Sequence, residues 1–267
     1  MSARPMSDGP GISSSLLEEG TVLRLLLDRP KGNVLTKAMM EALAETLASH
    51  EGLSHLKLVM IVGAGSNFSY GASIEEHRRE HAAGMLAAFH SLARQVAAYP
   101  VPVAALVQGS CLGGAFELVL CCHFVFAASG ATFGCPEIRL GVYPPVLAAI
   151  GAQRLGGLVS ERLLLTGSLL DAETAHRAGF IAELEPSSAN LEESVLAWYR
   201  KQLKPLSAFA LRQGTRAARA GSGLLTALAE PLAKIERQYV EEVIQSHDGS
   251  EGIAAFLERR NAVWEDA

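Results

Sequence analysis

At 267 residues, 49% of them hydrophobic and 19% charged, the chain is long enough for one large domain with a substantial core. Its formal net charge of −5 removes any general attraction to nucleic acid or to an anionic membrane surface. No uninterrupted apolar run approaches the ~20 residues that a membrane-spanning helix needs, and Met1–Ser15 lacks the charged-then-apolar order of a secretory signal.

Residues 1–15, polar and rich in Gly, Ser and Pro, are expected to form a flexible N-terminus. Val22–Leu27 (VLRLLL) predicts a strand, which stops at the turn sequence DRPKGN over 28–33. A helix is predicted from Lys37 to His50, with Thr36 as its N-cap. Leu56–Val62 predicts a second strand running into GAGSNFSYGAS, a loop dense in Gly and Ser. A long helix over Ile74–Ala98 ends before Pro100 and Pro102, and Pro102–Gln108 predicts a third strand. The turn Gly109–Gly114 then opens a helix carrying Glu117. Short strands are predicted at Phe124–Ala127 and Ala131–Gly134, helices near Ala148–Leu155, Ser160–Leu165 and Ala172–Ala178, and a strand around Phe180–Leu184. From Leu191 the pattern is nearly all helical. Strands alternating with helices imply an α/β architecture, and the strand-free tail implies a separate helical layer suited to packing or subunit contact.

The chemistry concentrates in one place. Between Arg94 and Glu137 the only formally charged residue is Glu117, set among apolar side chains just after Gly113 and Gly114. An unpaired carboxylate is expensive to desolvate, so its presence there asks for a reason. A helix beginning at the glycines aims backbone N–H groups at a bound oxygen and favours the Glu117 anion, while the apolar surroundings favour the neutral acid. That opposition suits a group that accepts and donates protons near neutrality. On spacing alone, a helix-start glutamate neutralised by an arginine elsewhere fits equally well. The four cysteines, at 111, 121, 122 and 135, have no paired CxxC spacing and read as small buried hydrophobes in a reducing cytoplasm. His77 and His81 are four apart, as zinc ligands can be, but no third ligand has a recognisable spacing, and HRREH reads as a solvated helix face. No dinucleotide fingerprint, phosphate loop or nucleophile elbow is present.

Four segments taken together, FSYGAS (68–73), QGSCLGGAFEL (108–118), FGCPEIRLGVYP (133–144) and QRLGG (153–157), resemble the crotonase, or enoyl-CoA hydratase/isomerase, superfamily. The similarity runs in order over about residues 20–186 and continues more weakly to the C-terminus. Within the superfamily, FSYGASIEEH, CLGG and PEIRLGVYPP are most similar to the branch that hydrates cyclohexa-1,5-diene-1-carbonyl-CoA. The resemblance implies a ββα spiral core over residues 16–190 and a C-terminal helical trimerisation region over 191–267. The subunits would form trimers that pair into hexamers. It further implies an oxyanion hole from the N–H groups of Ala72 and Gly114, and a catalytic pair, Glu117 and Glu137. One glutamate would activate water for attack on the β-carbon and the other would deliver the α-proton. Coenzyme A would enter as part of an acyl-CoA substrate, with no separate cofactor and no metal. Its contacts would come from Lys31 and Asn33 in the first turn and from the main chain around Phe68, Tyr70 and Gly71. Gly113 and Tyr143 would line the acyl end, and Phe256 and Arg259 would reach an adenine from a neighbouring subunit. Neither nucleic acid nor membrane is an expected partner, and the expected location is the cytoplasm.

Three departures from the family pattern stand out. Ser73 replaces the usual Asp after the oxyanion-hole alanine, and Glu75 occupies the place of a phosphate-binding lysine. The loop usually of the form GxxPGxGG reads GVYPPVLAA over 141–149, which stiffens and fills one wall. That argues for a ring-bearing acyl group, with Tyr70 and Tyr143 either facing it or acting as packing aromatics. An isomerase remains open, as does a general enoyl-CoA hydratase of fatty-acid oxidation. So does a non-catalytic scaffold on the same fold.

Overall fold

A computed structural model describes residues 9–267. Strands β1 (Ile12–Leu17) and β2 (Val22–Leu27) form an antiparallel pair, followed by helix α1 (Lys37–Glu51), capped by Thr36 as its sequence predicts, and strand β3 (Leu58–Gly63). Next come α2 (Arg79–Ala98), β4 (Val103–Val107), β5 (Ser110–Leu112) and α3 (Gly114–Cys121). Strands β6 (Phe124–Ala128) and β7 (Thr132–Gly134) precede α4 (Pro145–Leu155) and α5 (Gly157–Thr166). Then follow β8 (Leu169–Asp171), α6 (Ala172–Arg177) and β9 (Glu183–Glu185). The tail is helical: α7 (Leu191–Gln202), α8 (Ala208–Ser222), α9 (Leu224–Ala227), α10 (Glu230–Gln238), a π-turn over Tyr239–Val243, and α11 (His247–Glu258).

The main sheet has the order β1-β2-β3-β4-β6-β9, parallel throughout except for β1 at its edge; β5, β7 and β8 make a second, smaller sheet. Side chains alternate across the main sheet with period two. Leu23, Leu25, Val59, Ile61, Val103 and Ala105 face the large core shared with α1 to α4. Val22, Leu58, Met60, Ala104 and Leu106 face a second core closed by Leu191, Val195 and Tyr199 of α7. Burial on both faces is why β3 is apolar at every position, as central strands of parallel sheets are.

Two expectations need correction. The flexible N-terminus was expected to reach residue 15, but Ile12–Leu17 pairs along its whole length with β2; residues 1–8 lie outside the described part. The long helix does not begin at Ile74. A single 3₁₀ turn, Glu75–His77, is cut off from α2 by Arg78, whose ψ of 148° is extended. In the helical tail, α10 packs on α4 and α11 packs on the Pro136–Leu140 turn, which carries Glu137.

Candidate active site

The site forms where the chain leaves β3 and β4. After β3, the loop to Ser73 is held from beneath by Asn33, whose amide donates to the carbonyl oxygens of Ala64 (2.9 Å), Asn67 (3.1 Å) and Phe68 (3.0 Å). Ser69 Oγ donates to Asn33 O at 2.7 Å and accepts from Gly71 N at 3.1 Å. Phe68 is fully buried and its N–H donates to Gln108 O at 2.8 Å. Asn33 and Phe68 are therefore supports of the loop, not parts of the cavity wall expected to touch coenzyme A. Lys31 is exposed and also off that wall. Tyr70, half-exposed, does stand on it, with its ring laid against Gly32.

The two glycine-rich loops touch. A Cβ on Gly71 would collide with Leu112 O and come within 3.1 Å of Gly114 N, and its φ of 93° already favours glycine. Leu35 N–H donates to Gly71 O and Ser73 N–H donates to Leu35 O, so both bonds of this bridge flank Ala72. In such a bridge the N–H of the middle residue points the other way, and Ala72 lies on the cavity wall. Gly114 is the first residue of α3, where an N–H has no carbonyl a turn earlier to bond. A Cβ built on Gly114 would stand 3.4 Å from Ala72 N, so the two free donors are neighbours.

Glu117 sits in the first turn of α3 and is 3% exposed. Its Oε1 accepts from Val146 N at 2.7 Å and Leu147 N at 3.0 Å, the unsatisfied N–H groups that open α4. The donors that favour its anion thus come from the 141–149 segment, and not from the start of its own helix. Burial outweighs them and raises its pKa above the usual carboxylate range. Glu137 belongs to the Pro136–Leu140 turn and lines the cavity. A Cβ on Gly113 would lie 2.6 Å from Glu137 Oε1, so only glycine leaves room for the acid. Burial raises the Glu137 pKa, and the charge of Glu117 raises it further. Its Oε2 is buried without a hydrogen-bond partner among the described residues.

In front of Glu137 and Gly113 opens a cavity of about 830 Å³, walled mainly by apolar side chains. Val34, Ile74 and Val142 line one part, and Phe256, Arg260 and Trp264 of the chain's own tail line another. Glu117 is not on this wall. Several wall residues escape the sequence reading. His77 is one, and its solvated-face assignment is corrected: its Nδ1 lies 2.8 Å from Ser73 O, and burial lowers its pKa. Arg260 is another. The exposed Arg259 ends α11 in the left-handed region (φ 56°) and is off the wall, whereas Arg260 reaches it, paired with Glu251 Oε2 at 2.7 Å. Phe256 lies at the cavity of its own chain. Tyr143 does not line the cavity; its ring packs on Tyr239 and its hydroxyl donates to Ile235 O at 3.2 Å. All four cysteines are free and buried, and His81 is exposed.

A family model described as enoyl-CoA hydratase/isomerase matches residues 18–267. The chain is 39% identical to a cyclohexa-1,5-dienecarbonyl-CoA hydratase of Thauera aromatica, over 94% of this chain and 95% of that one. It is 32% identical to a 2,3-dehydroadipyl-CoA hydratase of Escherichia coli (strain K12), over 90% and 93%. Among solved structures, an enoyl-CoA hydratase from Mycobacterium avium subsp. paratuberculosis K-10 superposes with a TM-score of 0.84 at 27% identity, covering 98% of this chain and all of that one.

Proposed function

The chain belongs to the enoyl-CoA hydratase/isomerase family and is a hydro-lyase, and from that premise we propose that it adds water to a conjugated cyclic dienoyl-CoA, cyclohexa-1,5-diene-1-carbonyl-CoA. The observation that carries the reading is the pair of buried acids, Glu117 and Glu137, beside two neighbouring backbone donors. Adding water across an α,β-unsaturated thioester places enolate charge on the carbonyl oxygen, and the N–H groups of Ala72 and Gly114 stabilise that charge in a water-poor site. Glu117, whose anion two α4 donors favour, takes a proton from water as the oxygen bonds to the β-carbon. Glu137, whose proton is held by burial and by the neighbouring charge, gives it to the α-carbon. The proton then sits on the other acid, and exchange with the next water resets the pair. Holding water, alkene and both acids together supplies the entropic part of the acceleration.

The ring assignment rests on the Thauera relative and on the stiff Pro144-Pro145 segment, next to the cavity residue Val142. Coenzyme A is part of the substrate in this reading, and no separate cofactor takes part. Tyr70, Phe256 and Arg260 on the wall are the contacts proposed for it within one chain, and Phe256 and Arg259 are proposed to reach the adenine bound to a neighbouring subunit. The subunits are proposed to form trimers that pair into hexamers. A cytoplasmic location is supported by four free cysteines; among the described residues no helix is long and apolar enough to cross a membrane. Glu117→Gln and Glu137→Gln test the mechanism: hydration is expected to fall by about 10²–10⁴-fold with CoA-ester binding retained, and unchanged turnover in both would refute it.

A further inference from the structure

Glu137 Oε2 and the Tyr239 hydroxyl are both buried oxygens without a hydrogen-bond partner among the described residues. Tyr239 is 1% exposed and opens the π-turn that prolongs α10. Its ring meets Tyr143 edge-on, with centroids 5.6 Å apart and planes at 83°. Tyr143 belongs to the short segment joining the Glu137 turn to α4, and the first N–H groups of α4 hold Glu117. The phenol is thereby set against the connection between the two acids.

The position is held firmly. Tyr143 donates to Ile235 O, and Glu236, one turn before Tyr239, lies 2.6 Å from Nδ1 of the buried His90 in α2. Burial, and after it the charges of Glu137, Glu117 and Tyr143, push the pKa of the Tyr239 phenol up, so it remains a proton-bearing donor. Cys135, in the field of the same acids, is likewise kept protonated by burial. A buried hydroxyl without a partner destabilises a fold, and Phe fills nearly the same volume. The Tyr239 hydroxyl thus keeps a donor that the described residues leave unused.

We propose that Tyr239 donates a hydrogen bond to the reacting oxygen between Glu117 and Glu137, first the incoming water and then the new hydroxyl of the product. Tyr239 keeps its own proton throughout. One lone pair of the water accepts this bond, the other attacks the β-carbon, and a water proton passes to Glu117. The inference rests on the hydratase reading above and adds a third polar group to that site.

Tyr239→Phe in the full-length protein is the test, assayed for hydration of crotonyl-CoA and cyclohexa-1,5-diene-1-carbonyl-CoA and for binding of 3-hydroxybutyryl-CoA and butyryl-CoA. The expected result is a kcat lower by about tenfold or more, KM within about twofold, and a thermal midpoint no lower than the parent's. Affinity for the hydroxylated ester should drop by about tenfold while that for butyryl-CoA holds, the size of one hydrogen bond to a buried group. Tyr239→Met supplies a second apolar replacement should the first fail to fold. An active parent with unchanged kcat and unchanged ester discrimination in the variant overturns the role of Tyr239 alone. A parent that hydrates neither ester overturns the hydratase reading, and this inference with it.

Discussion

A carboxyl group buried beside a second one gives up its proton reluctantly, and both Glu117 and Glu137 are in that position. The folded protein binds these protons more tightly than the unfolded chain. Stability is therefore fullest below the unfolded carboxylate pKa and declines as pH rises through the raised folded values. Gln at position 137 is neutral at every pH, so Glu137→Gln is expected to stabilise the protein by about 1–3 kcal/mol near pH 8, and to lose that gain near pH 4. Thermal melts of parent and variant across this range check the sign; a variant less stable at the higher pH would contradict it. In the proposed mechanism one acid is ionised and the other protonated, so the pH profile should be bell-shaped, with limbs that belong to the pair and not to either residue. Gly113→Ala places a methyl group against Glu137 Oε1 and forces a side chain into a φ of 53°. It is expected to remove most turnover, about 10²-fold or more, and kinetics beside a melting curve separate displacement of the acid from unfolding.

At the scale of elements, α11 is the piece that closes the cavity. Its N-cap, Ser246, accepts from Gly249 N at 2.9 Å, and Ser246→Ala is expected to cost about 1 kcal/mol. Because Ile253, Ala255 and Phe256 of this helix line the cavity, KM should rise more than kcat falls; the reverse split would detach α11 from substrate binding. Which elements were legible in the sequence follows from how locally each is determined. The strands β2, β3 and β4 were readable because their apolar runs are bounded by Gly and Pro, and Thr36 announced α1. The strands β1, β5 and β8 were missed: β1 carries three serines and little burial, while β5 and β8 have three residues each and exist through pairing with β7. Ile74–Arg78 looked helical by periodicity, yet the extended Arg78 turns His77 into the cavity. Residues inside short sequence motifs, such as Tyr70 and Ala72 in one and Gly113 in another, were placed from those motifs. Arg260 and Trp264 were not, since only the path of the tail brings them to the cavity.

For the whole molecule, the tail divides its work. The helix α7 seals the second face of the sheet, α10 and α11 close over the site, and α8 leaves Phe209 72% exposed, with Leu206 46% exposed ahead of it. Leu158, Leu165 and Leu169 add further exposed apolar side chains, which suits a chain that buries them against copies of itself. Sedimentation equilibrium is expected to give a trimer or a hexamer, and Phe209→Glu to shift it toward smaller species; a monomeric parent would contradict the proposed assembly. In the proposed reaction the buried glutamate pair adds water to a ring-bearing dienoyl thioester. Its most direct test sets cyclohexa-1,5-diene-1-carbonyl-CoA beside crotonyl-CoA with purified protein, products identified by mass, and the Glu137→Gln variant run in parallel. The expected result is a product one water heavier, a clear preference for the cyclic diene, and loss of both reactions in the variant. Failure to add water to either ester would contradict it.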